Sequence, residues 1–270
     1  MWEGNKNMKS LQMKYNFVHI LFWVSYLSIY GYIAIFLQYR GLSNTDIGIV
    51  SGGGAIFSIF FSPFISSLLS KIPRLNIKNL ILILYLLMFG MFISLFFITT
   101  PIWVIMLFYI LLLSTVVSIV PFLSMLCMNY LKDGQYINFG LSRGLGSIAY
   151  ATGAIIISQL IELFNPTVII FAHLISSIAL LYMLFSMPDY HTHQQDTKEK
   201  QSTAFSIIQN YRTFFMILVA FSLMIAASTS LSTYLINIVK NLGGSTSLYG
   251  VAVFCMAASE MPLMSVTFRL

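Results

Sequence analysis

Residues 79–131 read NLILILYLLMFGMFISLFFITTPIWVIMLFYILLLSTVVSIVPFLSMLCMNYL, without one Asp, Glu, Lys or Arg. The run is interrupted mainly at Thr99, Thr100 and Pro101, and again at Pro121. A hydrocarbon core about 30 Å thick requires roughly 20 apolar residues of α-helix. The stretch is therefore long enough for two membrane crossings joined as a hairpin.

Uncharged apolar stretches of span length recur along the rest of the chain. With residues 79–131 counted as two crossings, they predict eight spans, the others being 15–39, 47–70, 144–161, 163–188, 213–239 and 241–259. Hydrophobic residues make up 58% of the chain and charged residues 8%, which is too little charge to cover a soluble particle. Because the stretches are continuous rather than alternating, the prediction is an all-α, polytopic membrane helix bundle.

The basic residues are distributed unequally between the predicted loops. Lys and Arg are retained on the cytoplasmic side of a membrane. With the N-terminus inside, Arg40 and Lys240 are outside and the others are cytoplasmic, namely Lys6, Lys9, Lys14, Lys71, Arg74, Lys78, Lys132, Arg143, Lys198, Lys200, Arg212 and Arg269. We expect a multi-pass protein in the lipid of a cell membrane, with both termini cytoplasmic. The net charge of +6 follows from this asymmetry, and no basic run predicts nucleic-acid binding.

A polar segment divides the predicted spans unequally. Residues 188–201, between spans six and seven, are rich in His, Gln and charged side chains, a composition typical of a flexible linker. The predicted organisation is a six-helix N-terminal bundle over 1–187, a cytoplasmic linker over 188–211, and a partial C-terminal half over 212–270 that contains spans seven and eight.

The loops before spans two and eight are similar to each other. Each contains Gly-x-Ser, beginning at Gly41 and Gly243, and each has a second glycine seven residues later, at Gly48 and Gly250. Spans seven and eight therefore look like a second copy of spans one and two. Parallel repeats of six-helix halves are one plan for transporters, with the solute site between the halves near the midplane.

Three stretches carry a family resemblance. Residues 41–71 combine Gly-Leu-Ser at the start of span two with Pro63 near its end; residues 137–147, INFGLSRGLGS, contain Phe-Gly-x-x-Arg-x-x-Gly-Ser; and residues 250–262 end in Glu-x-Pro. They resemble the major facilitator superfamily, and within it the branch of proton symporters that includes lactose permease and phenylpropionate permease. The resemblance covers nearly the whole chain. It implies transport by alternating access.

The chain also departs from that family pattern. Ser66 and Ser70 stand where the superfamily loop Gly-x-Leu-Ala-Asp-Arg has Gly and Asp, and residues 124–129 lack the helix-four carboxylate of lactose permease. The second departure disfavours a galactoside as substrate. Twelve helices are the family norm, so we expect a chain truncated after helix eight, or one whose helices nine to twelve come from another chain.

Glu260 directly follows the uncharged stretch 241–259, and we expect span eight to continue past it, which makes it the one acid deep within a span. A charged carboxylate at the centre of a membrane helix costs roughly 2.5 to 3.5 kcal/mol, and a protonated one costs less. A carboxyl that gains and loses a proton is what ion coupling requires, and the family resemblance implies the same proton-coupling role. The alternative is a neutral Glu260 that only hydrogen-bonds a neighbouring Ser or backbone carbonyl.

Arg143 and Tyr150 are seven residues apart, about two turns along one helical face. The resemblance implies that Arg143 binds substrate and that Tyr150 stacks on it. The alternatives are a positive-inside anchor for Arg143 and ordinary packing for Tyr150. For His19 and His173 we expect hydrogen bonds to neighbouring helices rather than a functional role.

Two further polar or reactive features have structural interpretations. Ser43 followed by Asp46 is a capping pattern for the start of span two, which favours a structural role for Asp46. Cys127 and Cys255 both fall inside predicted spans, where a thiol behaves as a small hydrophobic group.

No sequence pattern predicts catalysis, a metal site or a cofactor. There is no phosphate-binding Gly-rich loop, no Gly-x-Ser-x-Gly and no His-Glu-x-x-His. We therefore expect no enzymatic activity, and energy from an ion gradient rather than from a nucleotide. The predicted function is a proton-coupled secondary active transporter of a small organic solute. The alternative is a non-transporting remnant or a membrane partner subunit.

Overall fold

The computed structural model describes residues 2–72, 75–97, 101–190 and 211–267, with the side chains of all of these except 2–9, 96–97 and 260–267. Helix one consists of Trp2–Tyr26, a π-helical turn Leu27–Gly31 and an outer segment Ile33–Tyr39. Helices two to eight are, in order, Asn44–Lys71, Ile77–Phe97, Ile102–Lys132, Phe139–Leu163, Val168–Ser186, Arg212–Asn241 and Thr246–Thr267.

The predicted all-α membrane bundle is confirmed. Among the described residues, helices two to seven are each long and apolar enough to cross a membrane, and the bent helix one makes a seventh candidate. Helix eight is apolar over the shorter stretch Thr246–Ser259. Of the predicted linker, residues 191–210 lie outside the described residues.

Two helix breaks differ from the sequence prediction. Pro121 lies inside the continuous helix four, because a membrane helix tolerates the missing proline N–H when neighbouring groups satisfy the backbone. Helix one, predicted as one continuous span, is instead bent by 53° between Ser10–Gly31 and Ile33–Tyr39. No proline or glycine pair marks this bend in the sequence, and its cause is the π-helical turn at Leu27–Gly31.

The predicted cap of helix two is confirmed. The Ser43 hydroxyl accepts a hydrogen bond from the Asp46 N–H at 3.2 Å, and the Asp46 carboxylate accepts one from the Ser43 N–H at 2.9 Å. This reciprocal capping box satisfies backbone donors that a helix start leaves open. Asp46 therefore has a structural role at the end of the bundle.

Buried polar side chains join helix one to helices four and six. The ring of His173 on helix six lies between the Ser25 hydroxyl, 3.0 Å from Nδ1, and the Ser177 hydroxyl, 3.2 Å from Nε2. His19 lies 3.0 Å from the Tyr15 hydroxyl, which itself donates to the Leu123 carbonyl at 2.8 Å. His173 thus makes the expected hydrogen bond to a neighbouring helix, whereas His19 bonds Tyr15 of its own helix, one turn away.

Small residues allow the closest helix contacts. A Cβ on Gly54 of helix two would lie 2.9 Å from the Leu113 Cβ of helix four, and the Ser114 hydroxyl donates to the Gly54 carbonyl at 3.0 Å. Helix eight packs along helix five, where a Cβ on Gly250 would lie 2.7 Å from the Ala154 carbonyl oxygen. Packing of this kind replaces the hydrophobic effect, which does not drive helix association in lipid.

The residues after helix six are bound to the bundle by several groups. The buried Lys78 ammonium donates to the Met187 carbonyl at 2.9 Å and to the Asp189 carboxylate at 2.5 Å. The Tyr130 hydroxyl donates to the Pro188 carbonyl at 2.5 Å. The first residues of the predicted linker therefore belong structurally to the N-terminal bundle.

Substitution of Lys78 should destabilise the bundle more than substitution of Asp189. Lys78→Met removes both bonds and leaves the Met187 carbonyl buried without this donor, a loss of about 1–3 kcal/mol. Asp189→Asn should cost less than about 1 kcal/mol, because the Asp189 side chain is 80% exposed and the ion pair is screened. Thermal unfolding in detergent measures the loss of stability in each variant. Equal losses would contradict the central role of the Lys78 ammonium.

Candidate functional site

A cavity of about 250 Å³ lies between the N-terminal bundle and helices seven and eight. Four helices contribute its wall: helix one with Trp23, Tyr26, Tyr30 and Gly31; helix five with Arg143, Ser147 and Tyr150; helix seven with Ser228, Thr229, Ser232, Thr233 and Leu235; and helix eight with Tyr249, Val253, Met256 and Ala257. The volume suits a solute smaller than a typical drug molecule.

Arg143 is held against the ring of Trp23. The guanidinium carbon lies 4.0 Å from the ring centroid, and Nη1 donates to the Ser147 hydroxyl at 2.6 Å. Three residues after Arg143, Gly146 provides the space for this arrangement, since a Cβ there would overlap the Trp23 ring. The cation–π contact and the hydrogen bond together fix the guanidinium at the cavity wall.

Helix one presents aromatic rings to the cavity. Tyr26 and Tyr30 stack with centroids 5.1 Å apart, and Trp23 lies 5.1 Å from Tyr26. Tyr150 of helix five approaches Trp23 edge to face at 6.3 Å. These rings form one largely apolar wall whose polar atoms are hydroxyl and indole groups.

Helix seven presents hydroxyl groups to the same cavity. Ser228, Thr229, Ser232 and Thr233 occupy positions i, i+1, i+4 and i+5, which share one face of a helix. The Thr233 hydroxyl donates to the Thr229 carbonyl at 2.9 Å. The cavity thus has an aromatic and cationic side from the first half, and a hydroxyl-bearing side from helix seven.

The structure brings two of the three predicted site residues together. Arg143 and Tyr150 both line the cavity and both lie beside Trp23. Glu260 falls within helix eight, but its side chain lies outside the described residues. His19 lies one turn before Trp23 on helix one and contacts Phe139 at 5.6 Å, outside the cavity lining.

Sequence reasoning missed the contributions of helices one and seven. Trp23, Tyr26 and Tyr30 follow the i, i+3, i+7 spacing of one helical face, and the hydroxyl residues of helix seven are clustered in the sequence ASTSLST. Both signals were visible in the sequence. Neither could be distinguished from ordinary packing without knowing which helix faces meet.

Comparison with known proteins identifies the family. A family model described as the MFS_1 like family matches residues 12–270. The chain belongs to this family. It is therefore a multi-pass membrane protein of the major facilitator superfamily, whose members are transporters rather than enzymes. No match was found among curated proteins or among solved structures.

Family membership confirms the superfamily resemblance seen in the sequence. In the structure the aromatic wall comes from helices one and five, and the hydroxyl wall from helix seven. Within the described residues, no group of three or more His, Cys, Asp or Glu side chains could hold a metal ion. The cavity wall provides aromatic, hydroxyl and guanidinium groups instead.

Gly146→Ala should disturb the cavity, whereas Gly144→Ala should not. The added methyl at position 146 overlaps the Trp23 ring, and the resulting shift costs about 1–3 kcal/mol. At position 144 nothing lies within 4 Å of the added Cβ, so the helix gains about 0.5–1 kcal/mol. Thermal unfolding and the tryptophan emission spectrum in detergent compare the two variants. Equal behaviour would contradict the close approach of Trp23.

Proposed function

We propose that the protein is a secondary active transporter that moves a small organic solute by alternating access, with a proton as the coupling ion. The cavity between helices one and five on one side and seven and eight on the other supports this proposal. Its aromatic wall suits an apolar or ring-shaped body, and its hydroxyl groups suit polar substituents. In this proposal both termini are cytoplasmic.

Arg143 and Tyr150 are the proposed solute-binding residues. Arg143 presents a planar donor group that is already oriented by Trp23 and Ser147, so little side-chain entropy is lost on binding. Tyr150 adds a ring beside it. Two side chains seven residues apart on helix five therefore act on the same solute.

Glu260 is the proposed proton-coupling residue. It follows Met256 and Ala257, which line the cavity, by four and three residues on helix eight. A carboxyl group within the membrane is costly when charged, which favours binding and release of a proton there.

Glu260→Gln should abolish proton movement while leaving solute exchange. The experiment uses proteoliposomes that contain a pH-sensitive dye, and a panel of small organic solutes is tested for lumenal pH changes. Glu162→Gln is the matched control, because Glu162 accepts a hydrogen bond from the Ser247 N–H at 2.9 Å and does not line the cavity. Unchanged proton movement in Glu260→Gln would refute the coupling role.

The same panel distinguishes the transporter from the alternative. A solute that moves protons or exchanges across the membrane supports transport. The absence of any response, with the protein shown to be folded and inserted, would favour a non-transporting protein or a partner subunit.

Arg143→Lys should weaken solute binding by about ten- to a hundred-fold, or roughly 1.4–2.8 kcal/mol. The substitution keeps the charge but loses the planar group that stacks on Trp23. Arg40→Lys, outside the cavity lining, is the matched control. The half-saturation concentration for transport of a solute found in the panel is measured for each variant. Equal values in the two variants would exclude a binding role for Arg143.

A further inference from the structure

Helix one is broken beside the cavity. Its π-helical turn is followed by Tyr32, whose φ of −108° and ψ of 17° leave the helical region, and the outer segment Ile33–Tyr39 continues at 53°. Such a break separates backbone carbonyls from the amides that would bond them in a regular helix. Within hydrocarbon these carbonyls require other donors.

Two tyrosine hydroxyls provide those donors. Tyr109 of helix four donates to the Ile29 carbonyl at 3.2 Å, and Tyr249 of helix eight donates to the Gly31 carbonyl. The first bond stays within the N-terminal bundle. The second joins that bundle to the second half, and both of its residues line the cavity.

The outer segment of helix one is also held at its far end. The Gln38 side-chain amide donates to the side-chain oxygen Oδ1 of Asn237, on helix seven, at 2.9 Å. On its other side, the Phe36 ring stacks on Phe92 at 5.8 Å and on Tyr109 at 5.7 Å. The segment therefore contacts the N-terminal bundle through Phe36 and helix seven through Gln38, and the Gly31 carbonyl that Tyr249 bonds lies just before the segment.

Helix eight reaches the break because it lies directly against helix five. Next to Tyr249, Gly250 leaves space for the Ala154 carbonyl, and the Tyr32 hydroxyl donates to that same carbonyl at 2.6 Å. The Tyr249 ring meets the Tyr32 ring edge to face at 5.7 Å. Any movement of helix eight relative to helix five must change these contacts around the break.

We propose that the Tyr249 hydroxyl is a latch on the break of helix one. Bonded to the Gly31 carbonyl, it holds the outer segment Ile33–Tyr39 to the second half, and movement of the halves releases the segment to swing about Tyr32. This inference deepens the proposed transport function and rests on it. Tyr249 acts through Gly31 and is therefore a positioning residue. A solute in the cavity lies beside this hydrogen bond.

Hydrogen exchange of the purified protein tests the latch directly. Tyr249→Phe should raise amide exchange in peptides covering residues 28–39 at least threefold, because the hydroxyl is lost and the ring is kept. Tyr130→Phe is the matched control, since it also removes one hydroxyl-to-carbonyl bond, to Pro188. Unchanged exchange in helix four shows that the variants remain folded. Equal exchange over 28–39 in the two variants would overturn the latch.

Thiol labelling provides a second measurement with a directional result. In a Cys255→Ser background, which removes the exposed thiol, Ser232→Cys places a thiol at the cavity wall. With Tyr249→Phe, labelling by a membrane-impermeant maleimide should rise at least threefold from the membrane face that carries the loop between helices one and two. No rise, or an equal rise from both faces, would overturn the proposal.

Both measurements are made without solute. A failure to detect transport therefore leaves their outcome unaffected, and a failed latch leaves the transport assay unaffected.

Discussion

Hydrogen bonds from tyrosine hydroxyls to backbone carbonyls of other helices are the interaction on which this structure depends. Tyr15, Tyr32, Tyr109 and Tyr249 each make one, to Leu123, Ala154, Ile29 and Gly31. In lipid, burying apolar surface does not drive helices together, so close packing and such bonds must hold the bundle. A tyrosine supplies both, because its ring fills space and its hydroxyl satisfies a distant acceptor. The same bonds permit an irregular helix one within the membrane.

The Phe-Gly-x-x-Arg-x-x-Gly-Ser motif of helix five acquires a physical explanation from the cavity. Its arginine stacks on Trp23, its second glycine, Gly146, leaves room for that ring, and its serine, Ser147, accepts a hydrogen bond from the guanidinium. The motif thus encodes one unit, a planar cation oriented at the wall of the cavity. The opposite wall comes from hydroxyl groups of helix seven, so helices five and seven contribute different chemistry to one cavity.

The fold class and the helices could be predicted because membrane burial imposes a simple requirement on composition. An apolar run of span length has few alternatives to a helix, since each backbone group must be satisfied within its own segment. The cap at Ser43 and Asp46 could be predicted for a related reason, as it is local in sequence. Pro121 was misleading, because a proline ends a helix in water more readily than in a packed membrane bundle.

The sequence by itself determined the all-helical membrane architecture, the capping of helix two and the placement of Arg143 and Tyr150 two turns apart on one helix. Only the tertiary structure decided which residues complete the cavity and where helix one bends. Trp23 and the helix-seven hydroxyls become site residues only when helices one, five and seven meet, which depends on contacts between residues more than a hundred positions apart. The carbonyls of Ile29 and Gly31 at the bend are bonded by Tyr109 and Tyr249, residues that are 80 and 218 positions away in the sequence. The local sequence pattern determines that a segment forms a helix. Long-range hydrogen bonds and close packing determine which face of that helix lies against its neighbours.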